Sequence, residues 1–84
     1  MIKNIFSKNV LFVVETCITD GGKRPNSRCI FPFRYKETTY DTCITLEATL
    51  PWCSTEVDSK GHHVVGEWGY CTAGCPGGIS CHIL

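Results

Sequence analysis

The sequence predicts a small, disulfide-rich, mostly β domain, and three observations carry that prediction. The chain has 84 residues, which is one domain at most and leaves little apolar surface to bury. It carries seven cysteines, the staples that so small a core requires, and their density points to an oxidising, secreted or extracellular setting. No stretch repeats apolar residues at the helical period over three turns. Instead, Phe31 to Tyr35, Thr42 to Leu46 and Val64 to Tyr70 set β-branched and aromatic residues between turn signals. The expected architecture is short strands joined by long loops.

Taken in order, residues 1–16 read as a partial signal-like segment or an N-terminal extension. Lys3 and Lys8 supply a basic start, but the apolar run Val10 to Val14 falls short of the roughly 7–15 residues of a signal core, and no small-x-small cleavage site follows. A remnant of a signal peptide or an ordinary N-terminal strand fits the same residues. No run approaches the roughly 20 apolar residues of a membrane span, so the chain is not expected to cross one. From Asp20-Gly21-Gly22 through Ser27 turn formers dominate, and residues 17–28, with Cys17, read as a surface linker. The module proper starts near Cys17 or Cys29, with residues 29–71 as its expected extent. Within it Asp58-Ser59-Lys60-Gly61 is a turn candidate between Trp52–Val57 and His62–Tyr70, which predicts a hairpin. Residues 72–84 form a glycine-rich tail, with Ala73 to Gly78 read as an exit linker. The aromatic signature occurs once, so there is no internal repeat.

Charge and motif content exclude several function classes. Eight basic and eight acidic residues balance to a formal net charge of zero, which provides no electrostatic footprint for nucleic acid or an anionic membrane. The sequence has no Gly-x-Ser-x-Gly, no His-Glu-x-x-His, no phosphate-binding glycine loop and no convincing carboxylate pair, so neither catalysis nor a cofactor is expected. A structural zinc site wants two tight ligand pairs, and only Cys71 and Cys75 approach that spacing, so no metal is expected. His62 and His63, beside Gly61, read as solvated loop residues.

Cys29, Cys43, Cys53 and Cys71 bracket the aromatic-rich sequence, with Cys17, Cys75 and Cys81 outside it; spacing permits three pairings of the inner four and does not choose among them. Trp52, Trp68, Tyr70, Phe33 and Tyr35 are too many rings to lie wholly inside so small a domain. Some must face solvent, where rigid aromatic area makes a docking patch for an extended peptide or a methylated cationic headgroup. Phe33 and Tyr35 lean towards core and Trp52 and Trp68 towards the patch, while Phe31 and Pro32 shape the sheet edge and the small core.

The order Cys29-x-x-Pro32-Phe33-x-Tyr35, then Cys43, Trp52-Cys53 and Trp68-Gly69-Tyr70-Cys71, resembles the fibronectin type II module, a relative of the kringle. The resemblance covers residues 29–71. It implies pairing of Cys29 with Cys53 and of Cys43 with Cys71, and a fold of two short antiparallel double-stranded sheets at a steep angle. Bridges of this kind stabilise by roughly 2–4 kcal/mol each. The resemblance also implies chain ends that lie close together, so that Cys17 and Cys75 close a third bridge. Cys81 is then left over, which implies an intermolecular disulfide partner or a partner cysteine missing from a fragment or short isoform.

For function, the resemblance implies that Trp52, Trp68 and Tyr70, with Phe33 and Tyr35, line a pocket that docks an extended collagen-like or gelatin-like peptide of the extracellular matrix. In seminal plasma relatives the same pocket takes a phosphorylcholine headgroup. Two departures weaken the peptide expectation. Ser59 stands where the family usually has a ring, and the short loop Ile44 to Trp52 has no Arg to clamp a peptide carbonyl. The segment Ser59 to Trp68 is also longer than in vertebrate modules and is similar to type II modules of secreted invertebrate multidomain proteins, some of them protease zymogens. A non-catalytic regulatory module of such a zymogen is therefore the runner-up, with choline headgroup binding as a third reading.

Overall fold

The structure is a computed structural model that describes residues 17–78. The signal-like segment 1–16 and Cys81 lie outside the described residues. Four strands follow in order: β1 (Phe33–Tyr35), β2 (Thr38–Tyr40), β3 (Trp52–Ser54) and β4 (Trp68–Tyr70). They form two antiparallel two-stranded sheets, β1–β2 and β3–β4, and among the described residues there is no helix. The predicted mostly β, disulfide-rich class is the one observed.

The β1–β2 hairpin turns through Lys36 and Glu37, both at positive φ (49° and 71°), the conformation of a two-residue type I′ loop that matches strand twist. Such loops favour Asn-Gly, and a Lys-Glu pair hides the turn from a reading of the sequence. The Thr42 to Leu46 run, expected as a strand, contributes only Ile44, bridged to Trp52.

The hairpin predicted around Asp58–Gly61 is present. Gly61 N–H donates to the Asp58 carbonyl at 2.9 Å, and Asp58 Oδ1 accepts from the N–H groups of Lys60 and His62, each at 2.9 Å. Three residues of each arm pair as β3 and β4, with Trp52 opposite Tyr70 and Ser54 opposite Trp68. Between turn and strand, the arm leans on the other sheet: Arg34 N–H donates to the Gly61 carbonyl and His63 N–H to that of Arg34, both at 2.9 Å. The long segment after Ser59 therefore couples the two sheets.

Two expected linkers belong to the domain. Cys17 and Thr19 are buried, and Asp20 and Arg24 donate their N–H groups to the Tyr70 and Trp68 carbonyls, both at 2.8 Å, so residues 20–24 run along β4. The Thr19 hydroxyl donates to the Arg24 carbonyl at 2.5 Å and accepts from Ser27 N–H at 2.9 Å, closing the loop on itself. Turn-forming residues suit a tight loop that hugs a strand as well as they suit a linker, and composition does not separate the two. Gly69 shows how close the loop comes, because a Cβ there would meet the Arg24 carbonyl oxygen and Thr19 Cβ at 2.6 Å. In the tail, Cys75 is buried and Cys43 N–H donates to the Pro76 carbonyl at 2.9 Å, so the chain stays packed through Gly78.

Three disulfides hold this together: Cys17–Cys75, Cys29–Cys53 and Cys43–Cys71. They are the pairs that the family resemblance implies. The bridges stack, with Cys29 Sγ 3.9 Å from Cys71 Sγ and 4.0 Å from Cys75 Sγ. Phe31, Phe33 and Trp52 complete the buried core around them.

Candidate functional site: an aromatic pocket across two sheets

Side chains alternate across a strand, so Trp52 and Ser54 of β3 share a face with their partners Tyr70 and Trp68, while Cys53 and Gly69 face the other way towards Cys29 and Thr19. On β1 the same alternation puts Phe33 and Tyr35 on one face. Where these two faces meet, the rings form a continuous chain. Tyr35 meets Trp52 edge-on at 5.1 Å, Trp52 meets Trp68 at 6.3 Å, and Trp68 meets Tyr70 edge-on at 5.0 Å. These spacings fall in the range in which ring quadrupoles attract.

The rings line an open pocket of about 570 Å³. Four of the five expected ligand-site residues, Tyr35, Trp52, Trp68 and Tyr70, border it; Phe33 does not. Phe33 has no exposed surface and packs at 5.7 Å from Trp52 and 5.9 Å from Tyr40, so it is a core residue that supports the pocket from behind. Trp52, expected as an exposed floor, is only 6 % exposed. Its indole N–H donates to the Leu46 carbonyl at 3.0 Å, pinning the Cys43 to Cys53 loop over it. Trp52 is thus the hub of the site, and the partly exposed rings of Tyr35, Trp68 and Tyr70 surround it.

Two pocket residues were missed in the sequence. His63, expected in solvent, stands half-buried against the Trp52 ring at 5.3 Å and the Tyr35 ring at 5.7 Å. Ser59, where the family has a ring, sits exposed in the Asp58–Gly61 turn, outside the pocket. The second is Glu47, in the loop between Cys43 and Cys53. Its carboxylate accepts from the Tyr35 hydroxyl at 2.8 Å and from the Lys36 ammonium, and Lys36 Nζ lies 5.6 Å over the Tyr35 ring. The hydrogen bonds from Lys36 and Tyr35 hold the Glu47 carboxyl below its ordinary range, and the same contact raises the Lys36 ammonium and the Tyr35 hydroxyl. Burial pushes the His63 imidazole down, partly opposed by Glu67. Neither residue has a sequence signal, because each reaches the pocket through a fold-back whose endpoint only the three-dimensional structure fixes.

Clusters of cysteine sulfurs have the closeness of a metal site, but these sulfurs are the stacked bridges themselves, and a sulfur in a disulfide has no thiolate to offer. No helix among the described residues is long and apolar enough to cross a membrane. A stapled all-β framework carrying an aromatic pocket defines the class: a disulfide-bonded extracellular binding module. The sequence profile of the fibronectin type II domain matches residues 29–71, about half the chain, and the chain belongs to that family.

Among curated relatives, the chain is similar to "Binder of sperm protein homolog 1" of Homo sapiens, 38% identical over 60 residues that make up 71% of this chain and 41% of that protein. "Binder of sperm protein homolog 2" of Mus musculus is 38% identical over 48 residues, 57% of this chain and 33% of the relative. The "Cation-independent mannose-6-phosphate receptor" of Homo sapiens is 40% identical over 43 residues, 51% of this chain and 2% of the receptor. The matched region is thus less than half the length of each of these relatives. No solved structure matches the chain significantly.

Proposed function

We propose that the aromatic pocket binds a compact cationic group of the methylated ammonium type, as in a choline headgroup, in an extracellular setting. The observation that carries the reading is the Glu47 carboxylate beside the ring-lined pocket. That carboxylate already engages one ammonium, from Lys36, over the face of Tyr35. A cation gains from ring quadrupoles and from a carboxylate at once, and the gain grows as water is excluded. Two of the relatives are named as binders of sperm, which is consistent with a binding role for this module.

The leading expectation from the sequence, docking of an extended collagen-like peptide, is the second reading. The strand edges beside the pocket argue against strand addition. Ile44 exchanges backbone bonds with Trp52 at 2.8 and 2.9 Å, and residues 20–24 occupy the edge of β4. A peptide would therefore be held by side chains more than by its backbone. The apolar rim favours it, since Val65 is 91% exposed and Leu46 is 42% exposed beside the rings.

Tryptophan fluorescence of the oxidised chain, titrated with phosphorylcholine and in parallel passed over immobilised gelatin, tests the two readings. Saturable quenching that Trp68→Ala abolishes, with no gelatin retention, supports the cation. Gelatin retention that free choline does not elute supports the peptide.

A further inference from the structure

We propose that His63 is a charge-switching wall of the aromatic pocket, admitting a cation while its imidazole is neutral and excluding one when it is protonated; this rests on the reading that the pocket takes a cationic group. The position comes first. With Ser59 out in the turn, the wall beside Trp52 and Tyr35 is the His63 ring, at 5.3 and 5.7 Å from theirs.

The anchoring fixes the tautomer. Ser54 is fully buried and its hydroxyl donates to the Glu56 carbonyl at 2.8 Å, so its single proton is committed. The 2.7 Å contact between Ser54 Oγ and His63 Nδ1 is then an N–H donated by the imidazole. Nε2 keeps its lone pair, has no partner among the described residues, and is where the next proton binds. The backbone holds the ring in place, since His63 N–H donates to the Arg34 carbonyl and the residue bridges to Val57. Protonation therefore adds a positive charge to the pocket wall without releasing the Ser54 contact.

The groups facing this ring temper that charge without removing it, Glu67 most directly. From the β4 side Glu67 is held by the Arg24 guanidinium at 2.6 and 2.9 Å. From β1 the Tyr35 hydroxyl is committed to Glu47, which Lys36 also engages. From β3 and its continuation come only the Ser54 hydroxyl and the Glu56 carbonyl, the Glu56 side chain being exposed. Arg34 presents its backbone to His63 and has an exposed side chain, and neighbouring His62 is exposed and lies 3.5 Å from Asp58. Burial holds the imidazole below its ordinary range and so favours its neutral form at neutral pH, while hydrogen bonds from Lys36 and Tyr35 hold the Glu47 carboxyl below its own ordinary range. Acidification thus turns a neutral wall of the pocket positive.

The test is binding of choline and of its uncharged isostere 3,3-dimethyl-1-butanol, followed by tryptophan fluorescence near pH 7.5 and near pH 5, on the wild type, His63→Phe and His63→Gln. The wild type is expected to lose choline affinity by about tenfold on acidification, while the isostere changes by less than about twofold. Both variants are expected to bind choline with a flat pH response, and the pair guards against one of them misfolding. A flat wild-type response, or a loss that persists in both variants, overturns the switch alone. Absence of binding by both probes near pH 7.5 overturns the cation reading and the switch with it.

Discussion

The sheets β1–β2 and β3–β4 are each built from two three-residue strands, yet the first leaves Thr38 and Thr39 of its outer strand exposed while the second is enclosed along both edges. β3 is flanked by Ile44 and by Ile30, whose N–H donates to the Ser54 carbonyl at 2.9 Å, and β4 by residues 20–24. An isolated two-stranded pair is marginal in water. The enclosed sheet escapes that limit because loops tied down by cysteines act as additional strands, and Trp52, Trp68 and Tyr70 of the pocket stand on that sheet while Tyr35 reaches it from β1. The first sheet is held through the buried Phe33 on one face and, along the β1 edge, by the backbone bonds of Arg34 to Gly61 and His63, while its β2 side stays open.

The contrast is open to breaking, and the largest effect is expected where the two sheets share a residue. Trp52→Ala removes the ring that touches Phe33, Tyr35, His63 and Trp68 and is expected to cost about 3–5 kcal/mol, read as a shift in denaturant midpoint. Its loss of binding would therefore report unfolding, and Trp68 is the better probe of the pocket. Next, Cys17→Ser with Cys75→Ser opens a closure of 58 residues and is expected to cost roughly 2–4 kcal/mol, loosening residues 20–24 before β1–β2. Hydrogen exchange at Asp20 and Arg24 reads that order directly. Gly69→Ala pushes a methyl group into the Arg24 carbonyl and Thr19, which only backbone movement can relieve, and is expected to cost about 1–3 kcal/mol.

A pH series sharpens the same contrast. The folded-state His63 value lies below the ordinary imidazole range, so the unfolded chain takes up the proton more readily. Stability is therefore expected to fall as pH drops through the imidazole range, and His63→Phe removes that slope. The depressed carboxyls Glu47, Asp58 and Glu67 contribute stability above the ordinary carboxylate range, lost only as pH falls through their lowered values. The smallest effect belongs to the exposed sheet. Glu37→Gly relieves a side chain at φ 71° and is expected to stabilise by less than about 1 kcal/mol, because glycine's own entropy cost offsets part of the gain. A gain in the denaturant midpoint without altered choline binding is the outcome to look for.

How much of this was legible in the sequence follows the reach of each signal. The cysteine spacing with Trp52-Cys53 and Trp68-Gly69-Tyr70-Cys71 carried the family and the class, and the Asp58–Gly61 turn carried its hairpin. β2 was hidden by a Lys-Glu turn without Asn or Gly. Residues 17–28 have the composition of a linker because the backbone bonds to β4 leave no mark on composition. In the pocket, the tryptophans and tyrosines were visible as surplus rings, whereas Glu47 and His63 enter from loops with no periodic pattern. Phe33 lies in the core towards which its residue pattern leans, whereas Trp52, expected on the patch, is buried because three stacked bridges and the extra segments cover more rings than a bare 29–71 domain could.

The Cys17–Cys75 bridge sets the two Cα atoms 4.4 Å apart, so the polypeptide enters and leaves the domain at nearly one point. A pull transmitted along the chain from before Cys17 to beyond Cys75 would run through that single covalent link and bypass the sheets. Under tension the pocket would then be a pendant hanging from the line of force, its rings left unstrained.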